Sequence, residues 1–518
     1  MNVGHILTSA AEHHPNHPGF IWGEQVTSYC EANARAGALA LGLKELGLKR
    51  GDRVGILMWN CPQLIESFFA TWKAGGCIVP LNARCVAEEA VYQIGDPRAS
   101  AVIFGEDFRE MMAQVKEQLP SVKQFICVGE PLPGQIAFED LLAAHIGSGD
   151  PAVSVTDDDL AWLFYTSGTS GRPKGAMLTH GNLTFMAVGW VADLMHLEAE
   201  DVALHAAPLT HGAGFHTIAL ALKASSQVIL RPHRFEAEHF CATVARHRVT
   251  NTWLVPTQIK LLLNYPDLSK WDLSSLKWLV YGGAPMYAED LKEALSRIGP
   301  VFVQLYGQGE TPMTATYLRP KDHVVDGPES ARLTSCGHAR SGIEVRILGE
   351  DGAELPQREV GEICVHGPTV MKGYWERPEA TANALRGGWL HTGDVGYMDD
   401  QGYVYMLDRT KDMIISGGSN IYPREVEEIL LRHPAISEAC VIGVPDELWG
   451  EAVKAVVVLK PRAEVTADEI IAFAGKHMAG YKKPKSVDFV TDLPRNSYSK
   501  VLKRELRDRY VARPRPTA

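Results

Sequence analysis

The chain has 518 residues, 46% of them hydrophobic and 22% charged, with 47 Gly and 30 Pro. That length fits three or four structural units, and the composition excludes a disordered chain, a collagen and a coiled coil. The formal charge is −11, yet residues 471–518 hold twelve Lys and Arg against four Asp and Glu, a local +8 that leaves −19 on the remainder. Such a basic segment reads as a solvated helix face, as a surface for nucleic acid or membrane, or as a source of cations for a phosphorylated substrate. No stretch of about 18 apolar residues occurs, so no membrane insertion is expected. The first residues lack the basic start and apolar run of a signal peptide. Nine cysteines (30, 61, 77, 85, 127, 241, 336, 364 and 440) are scattered without a CxxC pair, as reduced, mostly buried thiols of a cytoplasmic protein would be.

In chain order, Thr27 is expected to cap a helix from Ser28 to about Leu46 that stops at Gly47. A strand at 53–59, a helix at 62–74 and a strand at 77–81 follow. This rhythm predicts a parallel sheet with right-handed crossovers. Similar units recur at 226–263 and 276–306. From about 335 short strands with Gly turns take over, as in GEICVHG and YVYMLDR, predicting a β-rich subdomain. After Asp408 a Pro423 helix start, the strand pair ACVIGV and EAVKAVVVL, and a Thr466–Glu469 capping box predict a compact α+β unit. The expected architecture is α/β: a large N-terminal domain over 1–408, its β-rich part at about 335–408, and a small mobile C-terminal domain over 409–518.

The most informative segment is LAWLFYTSGTSGRPKGAMLTH (160–180). Two apolar strands flank a loop whose Gly168, Gly171 and Gly175 allow close backbone approach. Thr166, Ser167, Thr169 and Ser170 add hydroxyls, and Lys174 adds a charge. Such a loop can wrap phosphate oxygens. It is not a Walker A loop, because GxxxxGK[ST] is unmatched. Further on, YGQGE (306–310) closes the strand VFVQL, at the end where α/β sheets bind ligands. GGAP (282–285) reads as a pocket wall or as a plain strand-to-helix turn. A hairpin turning at DDQG brings Asp394 near Arg409, for a ribose or for a surface ion pair. The histidines at 13, 14 and 17 and at 205, 211 and 216 lack ligand spacing with Cys or acidic partners, so no metal site is expected of them.

TSGTSGRPKG resembles the phosphate-binding signature of the adenylate-forming superfamily, which includes acyl-CoA synthetases, adenylation domains of peptide synthetases and beetle luciferases. YGQGE, GGAP, PLTHGAG (208–214), TGD (392–394), DR (408–409), SGGSNIYP (416–423) and LPRNSYSKVLKREL (493–506) resemble its other motifs in the same order. The resemblance implies ATP, Mg²⁺ and coenzyme A as the small molecules bound, with a carboxylic acid. By it, Tyr306 stacks on adenine beside Gly283, Ala284, Gly307 and Gln308, and Glu310 with Thr166 holds Mg²⁺. Asp394 and Arg409 take the ribose, and His211 borders the acyl channel. Lys411 is the hinge, Gly417 and Gly418 line the pantetheine path, and Lys500 neutralises charge as carboxylate meets α-phosphate. Two positions depart from the pattern. Gly309 stands where the family has Thr, with Thr311 or a water as substitute, and Ser499 stands where it has Gly, with Lys503 a second candidate for the lysine's role.

The expected acyl-pocket segments (185–194, 211–215, Thr257, 282–284 and 307–309) are apolar with many small residues. Only Asp193 there could grip an ammonium. The reading is an AMP-forming ligase of a hydrophobic, fatty or aryl, carboxylate. It requires no nucleic-acid partner and leaves room for a homodimer. Loading of a carrier-protein thiol, light-emitting oxidation and non-catalytic nucleotide binding are the alternatives.

Overall fold

The computed structural model describes residues 1–151, 153–166, 172–231, 235–284, 286–409, 412–417, 419–446, 448–495 and 501–511. Among these, the strands form four sheets. A seven-stranded sheet runs in the order Ile136–Ala137, Gln124–Val128, Ala101–Gly105, Arg53–Leu57, Cys77–Pro80, Leu160–Thr166, Lys174–Thr179. Its pairs are parallel except the last, the hairpin of Leu160–Thr166 with Lys174–Thr179. A nine-stranded sheet has the parallel run Phe302–Tyr306, Trp278–Gly282, Asn251–Leu254, Val202–His205, Ser226–Ile229 at its centre. The expected crossover units are therefore present and split between two sheets.

The helices between the sheets explain why one core serves both. Pro62–Lys73 is buried on nearly every face, its polar residues Glu66, Ser67, Thr71 and Lys73 included. Phe68 meets Trp162 of the seven-stranded sheet at 5.3 Å between ring centroids, and Trp162 meets Phe215 at 4.6 Å. Phe215 belongs to helix Gly214–Leu222, which is itself almost wholly buried. The two charges on the first helix are paired: Glu66 takes Arg35 Nε at 2.7 Å, while Lys73 reaches Asp150, Asn33 and Thr8. A charge buried without a partner would destabilise the core by several kcal/mol.

The first helix cap lies one residue beyond the expected Thr27. Thr27 pairs with Phe20 within the strand Gln25–Ser28, which holds its backbone extended. Ser28 caps helix Tyr29–Glu45 instead, its Oγ accepting from Glu31 N–H and Glu31 accepting from Ser28 N–H. The Thr466–Glu469 box forms as expected. Residues 344–409 make a four-stranded antiparallel sheet, the β-rich unit anticipated from about 335. The last sheet is built on Ile436–Asp446 and Gly450–Leu459, flanked by helices Pro423–Leu430 and Ala467–His477. Among the described residues, no helix is long and apolar enough to cross a membrane. Eight of the cysteines are buried and Cys30 is exposed, all as free thiols.

One side chain links the loop ends of the two large sheets. Asn60, just past the strand Arg53–Leu57, donates to Ala207 O at 2.8 Å and accepts from Leu209 N at 2.9 Å. It thereby fixes the segment leading to His211. Asn60→Ala leaves two backbone groups without their partner and should cost about 1–3 kcal/mol; a lowered urea midpoint of the first unfolding transition is the check.

Candidate active site

The loop 167–171 lies outside the described residues, but its two ends do not. Thr166 closes one strand and Lys174 opens the next, paired in register across the hairpin. Thr166 Oγ1 donates to Glu310 Oε1 at 3.0 Å, and Tyr374 OH donates to the same oxygen at 2.8 Å. Lys174 Nζ sits 4.4 Å over the Tyr374 ring. One end of the loop is thus bonded to a carboxylate that is only 6% exposed, and the other rests on the tyrosine bonded to that carboxylate. Burial, then the charge of Glu310, raises the Tyr374 pKa, so the phenol stays protonated and donates. With both hydroxyls on Oε1, Oε2 remains for a cation. A carboxylate and a neighbouring hydroxyl are hard oxygen donors of the kind Mg²⁺ takes, so Glu310 and Thr166 fit the ion the resemblance implies. Tyr374 was not among the sequence candidates; a tyrosine in a KGYW turn carries no spacing that points to Glu310, 64 residues earlier.

Beside it, Asp394 is 2% exposed and sits at the register partner of Arg409 across the expected hairpin. Tyr306 OH and Gln308 Nε2 both donate to its Oδ2, at 2.9 and 2.8 Å. Among the described residues Oδ1 has no hydrogen bond, with Arg409 Nε 3.2 Å away out of alignment. A buried carboxylate oxygen with charge support and a free lone pair suits a sugar hydroxyl. The turn that presents Asp394 is held by Glu362, which accepts from Gly393 N at 2.9 Å, and by Thr392 Oγ1 bonded to Ile363 O at 2.6 Å. Glu362, Cys364 and His391 cluster with ligand-like spacing, yet Arg386 and His391 already bond Glu362 Oε2.

The missing hydroxyl at Gly309 has a steric cause. A Cβ there would stand 2.7 Å from Phe164 Cε1 and 2.8 Å from Thr166 Cγ2. The Phe164 ring fills that space and reaches His211 at 5.0 Å and Phe215 at 5.4 Å. Thr311, the substitute considered, turns its hydroxyl back on its own turn, Oγ1 accepting from Gln308 N at 3.2 Å and donating to Gln308 O at 3.4 Å. A second adjustment surrounds Met313, whose φ is +59°. Gly307 packs against its backbone, where a Cβ would lie 2.6 Å from Met313 C. The Met313 side chain lies toward Gly212 (Cγ 3.1 Å from a Cβ placed there) and Gly283 (Cε 3.7 Å), joining the turns after His211 and at GGAP. A non-glycine residue held left-handed signals a site that the surroundings over-determine. Gly283, φ +78°, and Ala284 stand at that same turn.

Other expectations are redirected or fall outside the described residues. Ser167, Gly168, Thr169, Ser170, Gly171, Lys411, Gly418, Ser499 and Lys500 are among the latter. Gly417 has φ +57° and lies against Trp449, whose Cε3 would be 2.6 Å from a Cβ. Lys503 is bound elsewhere, 3.1 Å from Glu427 and 3.4 Å from Asp408, which leaves it no role as a second active-site lysine. Asp193 pairs with buried Arg340 at 3.4 Å and with Ser341 Oγ at 2.7 Å, so it is not placed to grip an amino acid.

A buried carboxylate bonded to the strand that enters the TSGTSGRPKG segment, beside a second buried carboxylate with one oxygen unbonded among the described residues, is the arrangement expected of an adenylate-forming enzyme. The sequence profile described as AMP-binding enzyme matches residues 7–375, and that of the AMP-binding enzyme C-terminal domain matches 425–500. The chain belongs to this family. It is 40% identical over 488 residues to a feruloyl-CoA synthase of Amycolatopsis sp, covering 94% of this chain and 95% of that one. It is 35% identical to a medium/long-chain-fatty-acid–CoA ligase of Mycobacterium tuberculosis, covering 98% and 90%. The crystal structure of ATP-bound MatB from Rhodopseudomonas palustris superposes with a TM-score of 0.89 at 32% identity, covering 99% of each chain.

Two substitutions test this geometry. Tyr374→Phe removes one charge-assisted hydrogen bond from Glu310 and keeps the ring under Lys174. The Mg²⁺ concentration for half-saturation should rise about tenfold, read in Mg²⁺ titrations of activity and in Mn²⁺ binding to the protein–ATP complex. Gly309→Thr should destabilise the protein by about 1–3 kcal/mol through overpacking. Adding Phe164→Leu should recover most of that loss, which paired denaturation curves would show as non-additivity.

Proposed function

We propose that this chain is an ATP-dependent carboxylic acid–CoA ligase that works through an acyl-adenylate, on a hydrophobic fatty or aryl acid. In the first half-reaction a carboxylate oxygen attacks the α-phosphorus of ATP, the P–O bond to pyrophosphate breaks, and acyl-adenylate forms. In the second the CoA sulfur attacks the acyl carbon, the C–O bond breaks, and AMP leaves. The observation that carries this reading is the Thr166–Glu310–Tyr374 junction, in which one end of the expected phosphate loop is bonded to Glu310 and the other, Lys174, rests on the Tyr374 ring bonded to the same oxygen.

Both first-step reactants are anions, and their approach is repelled in proportion to how poorly their charge is met. Mg²⁺ bound at Glu310 would neutralise triphosphate charge. Lys174 adds a fixed cation at the loop's end, and Asp394 orients the nucleoside through its open Oδ1. Tyr306 and Gln308 hold that carboxylate still, so little reorganisation is needed when the nucleotide binds. Lys500 supplies the last cation, and a pivot of the C-terminal domain (409–518) about Lys411 would withdraw it and admit CoA along the Gly417–Gly418 loop. The apolar, ring-lined segment around Phe164, His211 and Phe215 supports a hydrophobic acid, since no charge there is free to grip an ammonium among the described residues.

Incubation with ATP, Mg²⁺, CoA and a panel of fatty, phenylalkanoic, benzoic and cinnamic acids should release pyrophosphate and yield AMP with a thioester. Adenylate without thioester would point to a carrier-protein acceptor instead. Lys500→Ala should slow adenylation about 10²- to 10⁴-fold while sparing thioester formation from supplied acyl-adenylate. Equal loss in both steps would contradict the pivoting scheme.

A further inference from the structure

Beside the turn that presents Asp394 lies a group of side chains that neither half-reaction uses. The antiparallel strands Gly361–His366 and Leu390–Met398 set Cys364 directly opposite His391. Glu362, two residues before Cys364, projects from the same face of the sheet. Among the described residues, Glu362, Cys364 and His391 are the one grouping of His, Cys and acidic side chains whose ligand atoms all lie within 4.8 Å of one another. Cys364 Sγ is 3.3 Å from His391 Nδ1, and Glu362 Oε2 is 2.7 Å from that same nitrogen. One imidazole edge thus faces a thiol and a carboxylate at once.

This donor set has a chemical preference. A thiolate and an imidazole suit Zn²⁺, whereas Mg²⁺ takes oxygen ligands. Three protein ligands, with water in the fourth position, make a common zinc arrangement. Zn–S near about 2.3 Å and Zn–N or Zn–O near about 2.0 Å, at tetrahedral angles, put sulfur about 3.6 Å and oxygen about 3.3 Å from the nitrogen. The three atoms therefore need to spread by only a few tenths of an ångström. The bond from Arg386 to Glu362 Oε2 is the contact an ion would displace. The Arg386 side chain is 55% exposed, and an ion pair so placed is worth under about 1 kcal/mol. Glu362, 22% exposed, gives the ion an approach from solvent.

The group is joined to the nucleotide side of the site through the backbone. Between the pairs Cys364–His391 and Glu362–Val395 one strand advances two residues and the other four, so Thr392–Asp394 bulges from the ladder. Glu362 holds this bulge with its other oxygen, Oε1, which accepts from Gly393 N at 2.9 Å. We propose that Glu362 Oε2, Cys364 Sγ and His391 Nδ1 bind one Zn²⁺, and that the ion weakens ATP binding through the Gly393–Asp394 turn. As the S–Zn bond forms the S–H bond breaks, and its proton leaves to solvent. Spreading Oε2 from Nδ1 shifts either the carboxylate that holds Gly393 or the imidazole three residues before Asp394. Asp394 then leaves the position that Tyr306 and Gln308 fix. Binding of the ion is independent of the ligase reading; its effect on ATP rests on that reading.

The test uses the full-length enzyme, freed of metal and titrated with Zn²⁺ and with Co²⁺. Equilibrium dialysis should find a site whose Zn²⁺ affinity is at least about 100-fold weaker in Cys364→Ser, since even the outer groups of zinc sites are worth about 10- to 100-fold. Co²⁺ should give a thiolate charge-transfer band in the wild type and none in the variant. Arg386→Ala removes the competing cation and should tighten Zn²⁺ binding about two- to fivefold, a gain that a purely structural role would not produce. With free Zn²⁺ set by a metal buffer and Mg²⁺ in excess, the KM for ATP, read as AMP formed, should rise about tenfold in the wild type. It should stay level in Cys364→Ser, which keeps its activity without Zn²⁺. Cys364→Ala serves should the serine variant fail to fold. Equal Zn²⁺ uptake by the wild type and the folded variant, absence of the cobalt band, or a KM unmoved by the ion overturns the proposal and leaves the ligase reading intact. If no acid of the wider panel is activated the ligase reading falls, and the dialysis and cobalt measurements still decide the zinc site.

Discussion

Glu310 is where the two large sheets meet in function. It follows the strand Phe302–Tyr306 of the nine-stranded sheet, yet its Oε1 is held by Thr166 from the seven-stranded sheet and by Tyr374 from the connection between two strands of the antiparallel unit, Gly361–His366 and Leu390–Met398. An ATP-dependent acid ligase must bring together two reactants of like charge, and it succeeds only if countercharge waits at fixed distances. In the proposed reading, a carboxylate oriented from three parts of the chain would hold the Mg²⁺ that supplies such countercharge. That orientation also makes the Thr166–Glu310 contact depend on how the two sheets pack, and thus on the shared core of Trp162, Phe68 and Phe215.

The same dependence explains the departure at Gly309. Phe164 and Thr166 lie on one strand two residues apart, so both face the same side of the sheet. Thr166 must face Glu310, and the ring of Phe164 then occupies the volume beside Gly309. Losing a hydroxyl at 309 and gaining an aromatic wall toward His211 and Phe215 are a single packing choice. Asp394 shows the opposite economy. It keeps one oxygen open in a buried place because Tyr306 and Gln308 satisfy the other and Arg409 supplies charge nearby.

Much of this was legible along the chain. The two strands that flank TSGTSGRPKG, the hairpin carrying Asp394 and Arg409, the Thr466 capping box and the alternation of strand and helix all depend on neighbours within a few residues or on short turns. Where local signals competed, the reading slipped: Thr27 and Ser28 are both good caps, and sheet pairing with Phe20 decided for Ser28. Lys503 read as a spare catalytic lysine, but Glu427 and Asp408 hold it within the C-terminal part. Asp193 read as a pocket acid of unknown direction, and buried Arg340 has claimed it.

By itself the sequence determined the family, the α/β architecture and the kinds of chemical group needed to activate an acid, because those are written as residue types at short spacing. The tertiary structure alone decided that Tyr374 steadies Glu310, that Phe164 requires glycine at 309, and that Tyr306 and Gln308 leave Asp394 one oxygen unbonded among the described residues. Each of these joins residues far apart in the chain, and whether a side chain is satisfied, crowded or left open depends on what packs against it.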